Sequence, residues 1–404
     1  MPAPTVRDHV TALESGELPA YVYDLTALQA HASAVRAALS TRVELYYAAK
    51  ANPEPRILTA LADTVTGYEV ASGGELAHVR TVVPDAPVAF GGPGKTPDEL
   101  AAALALGVER FHVESEHELR LLAELAGRFT PERTANLLLR VNLPVGPGTL
   151  DGVPLAMGAG PSPFGLSPDR VDACLAFLDS PAAARLRLRG IHAHLASGLD
   201  ADSQLDVAGR IVDWSARLAR RHRVPLPEIN IGGGMAVDYA APGSRFDWPR
   251  FGAGLDRLLA RHPELALRIE PGRALTAYCG WYATEVLDVK RSHGTDFAVL
   301  RGGTHHLRTP VTKGHDQPFS LLPADAWPHP WQRPTVRDAP VTLVGQLCTP
   351  KDVFARQVPV TELRAGDRVV FAMAGAYAWN ISHHEFLMHP RPNFHFLPQP
   401  APVR

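Results

Sequence analysis

The feature that most constrains the fold is a regular alternation of apolar runs and helical patterns between residues 43 and 270. Short aliphatic and aromatic runs predict eight strands, and segments with helical spacing of Ala and Leu separate them. The predicted strands are residues 43–49, 67–71, 87–91, 110–114, 137–142, 188–195, 228–232 and 266–270. The helices between them include 97–106, 115–127, 168–178 and 203–221. This pattern predicts a closed (β/α)8 barrel, because the alternative, a doubly wound open sheet, carries a Gly-x-Gly-x-x-Gly turn that is absent after the first strand.

The sequence on either side of this region follows a different pattern. Residues 20–24 predict a short strand, and Leu25–Leu39 has the apolar spacing of a helix. After residue 275, alternating or β-branched runs are separated by Gly, Pro and Asp turns, at residues 282–289, 297–300, 341–344 and 368–371. These runs predict a C-terminal, mostly antiparallel β domain. Residues 301–340 lack a clear period and predict a long irregular segment.

Composition narrows the class of protein. The chain has 404 residues, enough for two domains, and a net charge of −2, which gives no electrostatic reason to expect a nucleic-acid or membrane partner. The three cysteines form no evenly spaced framework, so we expect a reducing compartment. The N-terminus lacks the apolar core of a signal peptide, and no apolar run is long enough to span a membrane. The composition therefore predicts a cytoplasmic protein.

Lys50 occupies the end of the first predicted barrel strand. Asn52-Pro53 follows it and ends the strand, because proline has no amide hydrogen for the ladder. Catalytic residues of (β/α)8 barrels collect at the carboxyl ends of the strands. A desolvated lysine there becomes a nucleophilic amine that can form a Schiff base, whereas an ordinary strand-end lysine extends to water. The position alone leaves both interpretations open.

The last two barrel strands end in residues suited to a phosphate group. Gly232-Gly233-Gly234 follows one strand and lets several backbone amides approach a ligand, although such a run also forms flexible turns. Arg273 follows the neighbouring strand and would add a charged donor. Because the loops after these two strands frequently bind phosphate in this fold, we favour a phosphate site.

Two further strand ends complete the pattern. Glu270 would be buried, and a buried carboxylate needs a cationic partner such as a protonated pyridine nitrogen or an internal arginine. His194 would lie against an aromatic ring, although a lone strand-end histidine is more often a hydrogen-bonded core residue. Together with Lys50 and the predicted phosphate site, these residues indicate a binding site for pyridoxal 5'-phosphate.

At this point the sequence resembles the fold-type III pyridoxal-phosphate decarboxylases, the group that contains ornithine, arginine and diaminopimelate decarboxylases. The resemblance extends over nearly the whole chain, through residues 47–52, 71–76, 194, 197, 232–234, 270–273, 348 and 375–377. It implies an alanine racemase-like barrel at residues 25–275 and a β domain at residues 1–24 and 276–404. It also implies a head-to-tail homodimer whose active sites are completed at the interface.

The same resemblance implies a role for each matched residue. Lys50 would hold the cofactor as a Schiff base, His194 would stack on its ring, and Glu270 would pair with its pyridinium nitrogen. Glu69 would be a further cofactor-binding residue, and the residues implied to hold the phosphate or its surroundings are Ser197, Gly233, Gly234, Arg273 and Tyr377. Cys348 of the partner subunit would protonate the substrate carbon after carbon dioxide leaves. Alanine racemases are expected to place arginine opposite the ring nitrogen, so Glu270 favours decarboxylation over racemisation.

The sequence departs from the best-known family members where the substrate side chain would bind. Thr349 stands directly after Cys348, where ornithine and diaminopimelate decarboxylases carry an acidic residue. Residues 301–315 contain several basic or titratable side chains, among them His305 and Arg308, and residues 382–390 contain Phe386. These stretches resemble decarboxylases of carboxylate-siderophore biosynthesis, and a cationic loop would suit a substrate with several carboxylates.

The resemblance therefore predicts decarboxylation of a modified diamino acid, such as a citryl-diamino acid. The alternatives are a diaminopimelate- or ornithine-type substrate, an amino acid bound to a carrier protein, racemisation, and a catalytically silent homologue. The paired histidines at 305–306 and 383–384 also suggest a metal site. They lack carboxylate or thiolate partners at matching spacing, so we expect no metal.

Overall fold

The computed structural model describes residues 2–144, 155, 156, 158, 160–308, 310 and 314–398. The chain divides into two compact units. The barrel unit comprises Gln29–Ala236 and Phe246–Leu275, and the β unit comprises Met1–Leu28, Val237–Arg245 and Thr276–Arg404. The domain boundaries at 24/25 and 275/276 stay a prediction.

The first elements along the chain are α1 (Pro4–Ala12), β1 (Ala20–Asp24) and α2 (Leu25–Ala37). Helix α1 starts at a proline, whose fixed φ suits a first turn, and Val6 and Val10 on one face are buried. These two valines pack in an apolar cluster with strand residues that include Val22, Trp281 and Val370. The sequence reasoning did not predict α1.

The barrel unit contains the eight predicted parallel strands, closed into a ring. They are β2 (Val43–Ala48), β3 (Gly67–Val70), β4 (Val88–Phe90), β5 (Arg110–Val113), β6 (Ala135–Arg140), β8 (Leu186–His192), β10 (Glu228–Asn230) and β11 (Ala266–Ile269). Two short strands, β7 (Leu155–Ala156) and β9 (Ala196–Ser197), pair outside the ring. Each barrel strand pairs with the next along the chain, and β11 pairs with β2 to close the ring. The (β/α)8 prediction is confirmed.

Helices connect the barrel strands as the apolar spacing predicts. They are α3 (Pro55–Leu61), α4 (Gly73–Val82), α5 (Pro97–Ala105), α6 (Glu116–Phe129), α7 (Val171–Leu178), α8 (Ala201–His222) and α9 (Trp248–Ala260), and α10 (Arg273–Thr276) follows the last barrel strand. Several begin at a side chain that accepts a backbone amide, such as Ser72 before α4 and Asp200 before α8. Among the described residues, no helix combines the length and apolar content needed to cross a membrane.

The β unit is a mostly antiparallel sheet, as predicted. Its C-terminal strands are β12 (Gly280–Ser292), β13 (Thr295–Leu300), β14 (Phe319–Leu322), β15 (Thr335–Val344), β16 (Val353–Arg364), β17 (Arg368–Phe371) and β18 (Asn393–Leu397). They run in the order β14-β17-β12-β13-β15-β16, and β1 pairs with β12 and β18. Among the described residues of this sheet, the parallel pairs are β13–β15 and β1–β18.

Two expectations for this unit were wrong. Residues 301–340 are not wholly irregular, because β14 and the start of β15 lie within them. Strand β16 was missed, since Pro359 interrupts its pattern. Pro359 is tolerated because β16 is the last strand in the sheet order, where an amide hydrogen is not needed on the outer side.

Candidate active site

Strand register brings Lys50 and Glu69 together at one end of the barrel. Lys50 lies in a 3-10 turn, Ala49–Ala51, directly after β2. Ala48 pairs with Glu69 across β2 and β3, and Lys50 Nζ donates a hydrogen bond to Glu69 Oε2 at 2.5 Å. The Lys50 side chain is 43% exposed and that of Glu69 is 6% exposed. The amine is therefore reachable from solvent, while its carboxylate partner is buried.

The Glu69 carboxyl is suited to exchange a proton with this amine. Burial raises its pKa, the positive charge of Lys50 opposes that rise, and the nearby Glu270 carboxylate adds to it. A carboxyl whose pKa is raised becomes a better proton acceptor. Proton transfer to the buried Glu69 carboxyl can therefore leave the partly exposed Lys50 amine uncharged and nucleophilic.

Glu270 follows β11 and is buried among polar side chains. Asn230 Nδ2 donates a hydrogen bond to Glu270 Oε1 at 2.6 Å. His192 Nε2 lies 3.5 Å from Glu270 Oε2, and His112 Nε2 lies 3.8 Å from Oε1. The predicted burial of Glu270 is therefore present, and its neighbours are an amide and two imidazoles rather than an internal arginine.

The two histidines beside Glu270 are stacked. The rings of His112 and His192 lie 4.2 Å apart with an interplanar angle of 15°. Burial is the main cause that lowers the pKa of both imidazoles well below the usual value, so both are neutral at physiological pH. Together with Glu270 they form a group of potential metal ligands. Two nearly parallel rings direct their ring nitrogens side by side, which suits convergent coordination of one metal poorly.

His194 lies in the loop that follows β8, and Ser197 ends the short strand β9. Ser197 Oγ lies 3.4 Å from His194 Nε2. Burial, followed by the charges of Arg140 and Lys50, lowers the pKa of His194 to about 3. His194 packs closely against the glycine loop, since a Cβ added to Gly232 would lie 2.6 Å from its Nδ1. A neutral imidazole therefore borders the glycine loop and is close enough to Lys50 to sense its charge.

The glycine loop is shaped by contacts that exclude side chains. A Cβ on Gly233 would lie 2.4 Å from the carbonyl oxygen of Glu270, and Gly234 has a φ of +93°. The Gly232 amide donates to Asn230 Oδ1, and the carbonyls of Gly232, Gly233 and Gly234 accept hydrogen bonds from other residues. Within the described ranges, no protein acceptor contacts the amides of Gly233 and Gly234. These amides are suited to a phosphate group.

Arg273 begins α10, three residues after Glu270. The barrel unit thus contains the predicted lysine, acidic partner, neutral imidazole, glycine loop and arginine. The residues present fit pyridoxal 5'-phosphate, because buried Glu270 matches a pyridinium, the Gly233 and Gly234 amides match a phosphate, and the Lys50 amine matches an aldehyde. Sequence reasoning missed Asn230 and His112. Asn230 ends β10 two residues before Gly232, and a polar residue at the end of a barrel strand is the signal that could have found it.

The β unit holds the remaining predicted residues. Cys348 carries an exposed free thiol. It stands with Thr349 in a turn before β16 that Asp352 closes by accepting hydrogen bonds from the amides of Thr304 and Leu347. Tyr377 has a left-handed backbone, with a φ of +49°.

Two segments of the β unit that carry predicted substrate residues contact each other. The Arg308 amide donates to Ser382 Oγ at 3.1 Å, which joins the 301–308 stretch to the segment that carries Phe386. Phe386 is partly exposed and lies against His383. Residues 309 and 311–313 of the basic stretch lie outside the described residues.

The basic stretch is less cationic than expected. His305 and His306 are buried, and burial lowers their pKa to about 4 and about 3. Arg301 is paired with Glu285 at 2.9 Å. The expectation of a cationic loop is therefore wrong for the two histidines, because a buried imidazole without an acidic partner stays neutral.

The barrel, its strand-end lysine and its glycine loop are the arrangement of an enzyme that uses pyridoxal 5'-phosphate. Residues 25–277 match the family model described as "Pyridoxal-dependent decarboxylase, pyridoxal binding domain". The chain belongs to this family, and it is a pyridoxal 5'-phosphate-dependent decarboxylase.

Similar proteins include a 2-((L-alanin-3-ylcarbamoyl)methyl)-2-hydroxybutanedioate decarboxylase from Staphylococcus aureus. It is 41% identical over 383 residues, which cover 94% of each chain. A decarboxylase of an L-glutamyl-BtrI acyl-carrier protein from Niallia circulans is 31% identical over 95% of this chain and 90% of its own. A diaminopimelate decarboxylase from Helicobacter pylori complexed with L-lysine has the same fold, with a TM-score of 0.83, 22% identity and coverage of 97% and 94%.

Proposed function

We propose that the protein removes the α-carboxylate of a diamino acid whose distal nitrogen is joined to citrate. The observation that carries this proposal is the 41% identity, over 94% of both chains, to the Staphylococcus aureus enzyme. The name of that enzyme's substrate describes an L-alanine whose third carbon bears an amide of citrate. Neutral Thr349, beside Cys348, supports the proposal, because a substrate tail rich in carboxylates does not require an acidic residue there.

The barrel unit provides the groups that would hold the cofactor. Lys50 would bind it covalently, Glu270 would pair with its ring nitrogen, and His194 would pack on its ring. Ser197, Gly233, Gly234, Arg273 and Tyr377 would surround its phosphate. When bound, pyridoxal 5'-phosphate supplies a sink for the electron pair that remains after the carboxylate leaves.

Residues of the chain itself accept and donate the protons of the reaction. Glu69 accepts a proton from the Lys50 amine, to which it is hydrogen bonded at 2.5 Å. His194 remains neutral because its pKa is lowered to about 3, so it adds no positive charge that would compete with the pairing at Glu270. Cys348 of the partner subunit returns a proton to the α-carbon, and its exposed thiol is available for that role.

The proposal includes a cytoplasmic homodimer whose sites combine the barrel unit of one subunit with the β unit of its partner. Mixing two inactive variants tests this arrangement. Lys50→Ala and Cys348→Ala homodimers should each be nearly inactive. After subunit exchange, mixed dimers should regain activity, because one of their two sites carries both intact residues. No recovery despite proven exchange would place both residues in a site formed by one subunit.

Substrate choice is tested by carbon dioxide release from purified, cofactor-loaded protein, with Lys50→Ala as the blank. The panel holds citryl-diaminopropionate, diaminopimelate, ornithine, lysine and diaminobutyrate. Release from the citryl compound alone is expected. Preference for diaminopimelate would refute the substrate assignment. The similarity to the Niallia circulans enzyme favours a second candidate, an amino acid bound to a carrier protein, and an aminoacylated carrier protein belongs in the same panel.

A further inference from the structure

Asn230 connects the two parts of the barrel that would bind opposite ends of the cofactor. It is the last residue of β10 and is fully buried. Its Oδ1 accepts the Gly232 amide at 2.9 Å, and its Nδ2 donates to Glu270 Oε1 at 2.6 Å. The orientation of the amide is unambiguous, because only the oxygen can accept a backbone N–H and only the nitrogen can donate to a carboxylate.

A second set of bonds makes this connection stiff. The Glu270 amide donates to the Gly232 carbonyl at 2.8 Å, so the side chain of Asn230 and the backbone both join the glycine loop to the residue at the end of β11. The Asn230 Nδ2 also lies 3.4 Å from His112 Nε2, which directs its second hydrogen toward a neutral imidazole. Rotation of the Asn230 amide would break all of its side-chain contacts at once.

We propose that Asn230 is a positioning residue that fixes the Glu270 carboxylate relative to the glycine loop. The inference rests on the proposed function, in which Glu270 pairs with the pyridinium. An amide donor at 2.6 Å stabilises a carboxylate through a hydrogen bond without adding charge. A carboxyl in its place would compete with Glu270 for one proton.

The titratable groups around Glu270 come from several elements. They are Lys50 after β2, Glu69 on β3, His112 on β5, His192 on β8 and His194 after β8. The three imidazoles are neutral at physiological pH, because burial lowers their pKa values. A new acid at position 230 would therefore add a third carboxyl to those of Glu69 and Glu270, with no imidazolium to offset its charge.

Asn230→Asp and Asn230→Ala test the role, with cofactor affinity of the apoprotein measured by fluorescence titration between pH 5.5 and 9. Asn230→Ala should weaken the affinity at every pH by about tenfold or more, the effect of a lost hydrogen bond to a charged group. Asn230→Asp should bind nearly as well as the wild type at low pH, where the introduced carboxyl keeps a proton and donates to Glu270. Its affinity should fall as pH rises and both carboxyls ionise.

Gln204→Leu is the matched control. In the wild type, the buried side-chain amide of Gln204 donates to the Gly233 carbonyl at 3.0 Å but has no hydrogen bond to Glu270. The Gln204→Leu variant should therefore show no new pH dependence of cofactor affinity. A flat pH profile for Asn230→Asp, or wild-type affinity for Asn230→Ala, would overturn the inference. If Asn230→Asp fails to fold, the cofactor affinity of Asn230→Ala alone tests the inference, and wild-type affinity overturns it.

Glu270→Gln separates this inference from the proposed function. It should weaken cofactor affinity and lower the pKa at which the ring nitrogen loses its proton, read from the visible absorbance band. If Glu270→Gln changes neither quantity, the proposed role of Glu270 fails. If Glu270→Gln changes both and the Asn230 variants change neither, only the role of Asn230 fails.

Discussion

Replacing Gly234 by alanine should disrupt the loop on which the predicted phosphate site depends. Gly234 has a φ of +93°, and an added Cβ would lie 2.2 Å from the carbonyl oxygen of Ala196. The backbone conformation costs an L-residue about 1–2 kcal/mol, and forcing a methyl group into packed backbone costs about 1–3 kcal/mol more. The substitution should therefore lower the free energy of unfolding by about 2–5 kcal/mol, a large part of a typical total.

Denaturant unfolding of the apoprotein measures this change, and cofactor titration measures its effect on binding. Gly209→Ala is the matched control in the same unit. Gly209 lies inside α8, and an added Cβ meets nothing within 4 Å. That change should stabilise the protein by about 0.5–1 kcal/mol, because alanine favours a helix. If the two variants unfold at the same denaturant concentration, or if Gly234→Ala binds the cofactor normally, the assignment of the loop is refuted.

Three other predictions concern single side chains. Lys50→Ala should abolish trapping of the cofactor by borohydride while leaving the thermal midpoint of the apoprotein near that of the wild type; labelling at another lysine, found by peptide mass spectrometry, would contradict the assignment. Cys348→Ser should lower kcat more than it raises KM, because the thiol would act after the substrate binds; an unchanged kcat would remove Cys348 from the mechanism. Burial lowers the pKa of His305 from the ordinary histidine value of 6.5 to about 4, so stability is lost as pH falls below 6.5, by about 2 kcal/mol at pH 5. His305→Leu should lessen this acid sensitivity in unfolding experiments, and an unchanged pH profile would argue against a buried neutral imidazole.

The barrel could be predicted from sequence because its strands are short and buried on both faces. Such strands are continuous apolar runs, and the predicted ends of β2 and β11 lie one residue from those of the structure. Lys50 and Glu270 stand out at those ends, since a charged residue directly after an apolar run has few structural reasons to be there. The motif at 71–76 also has a local explanation, because Ser72 caps α4 by accepting the Glu75 amide.

Contacts between distant residues account for what was missed. Strand β14 is only four residues long and is defined by its pairing with β17, which local sequence does not reveal. His112 and Asn230 are separated by 118 positions in the chain, but their side chains lie 3.4 Å apart beside Glu270. The neutral state of His305 follows from burial, and a basic stretch in a sequence carries no information on which of its members are buried.

The central claim is that the α-carboxylate of a citryl-linked diamino acid leaves at this site. The most direct measurement uses citryl-diaminopropionate labelled with 13C in that carboxylate alone, because the citryl part carries carboxylates of its own. The cofactor-loaded protein should release labelled carbon dioxide with multiple turnovers, and Lys50→Ala should release none. Absence of labelled carbon dioxide from a fully loaded protein, with release from diaminopimelate or a carrier-bound amino acid instead, would contradict the account.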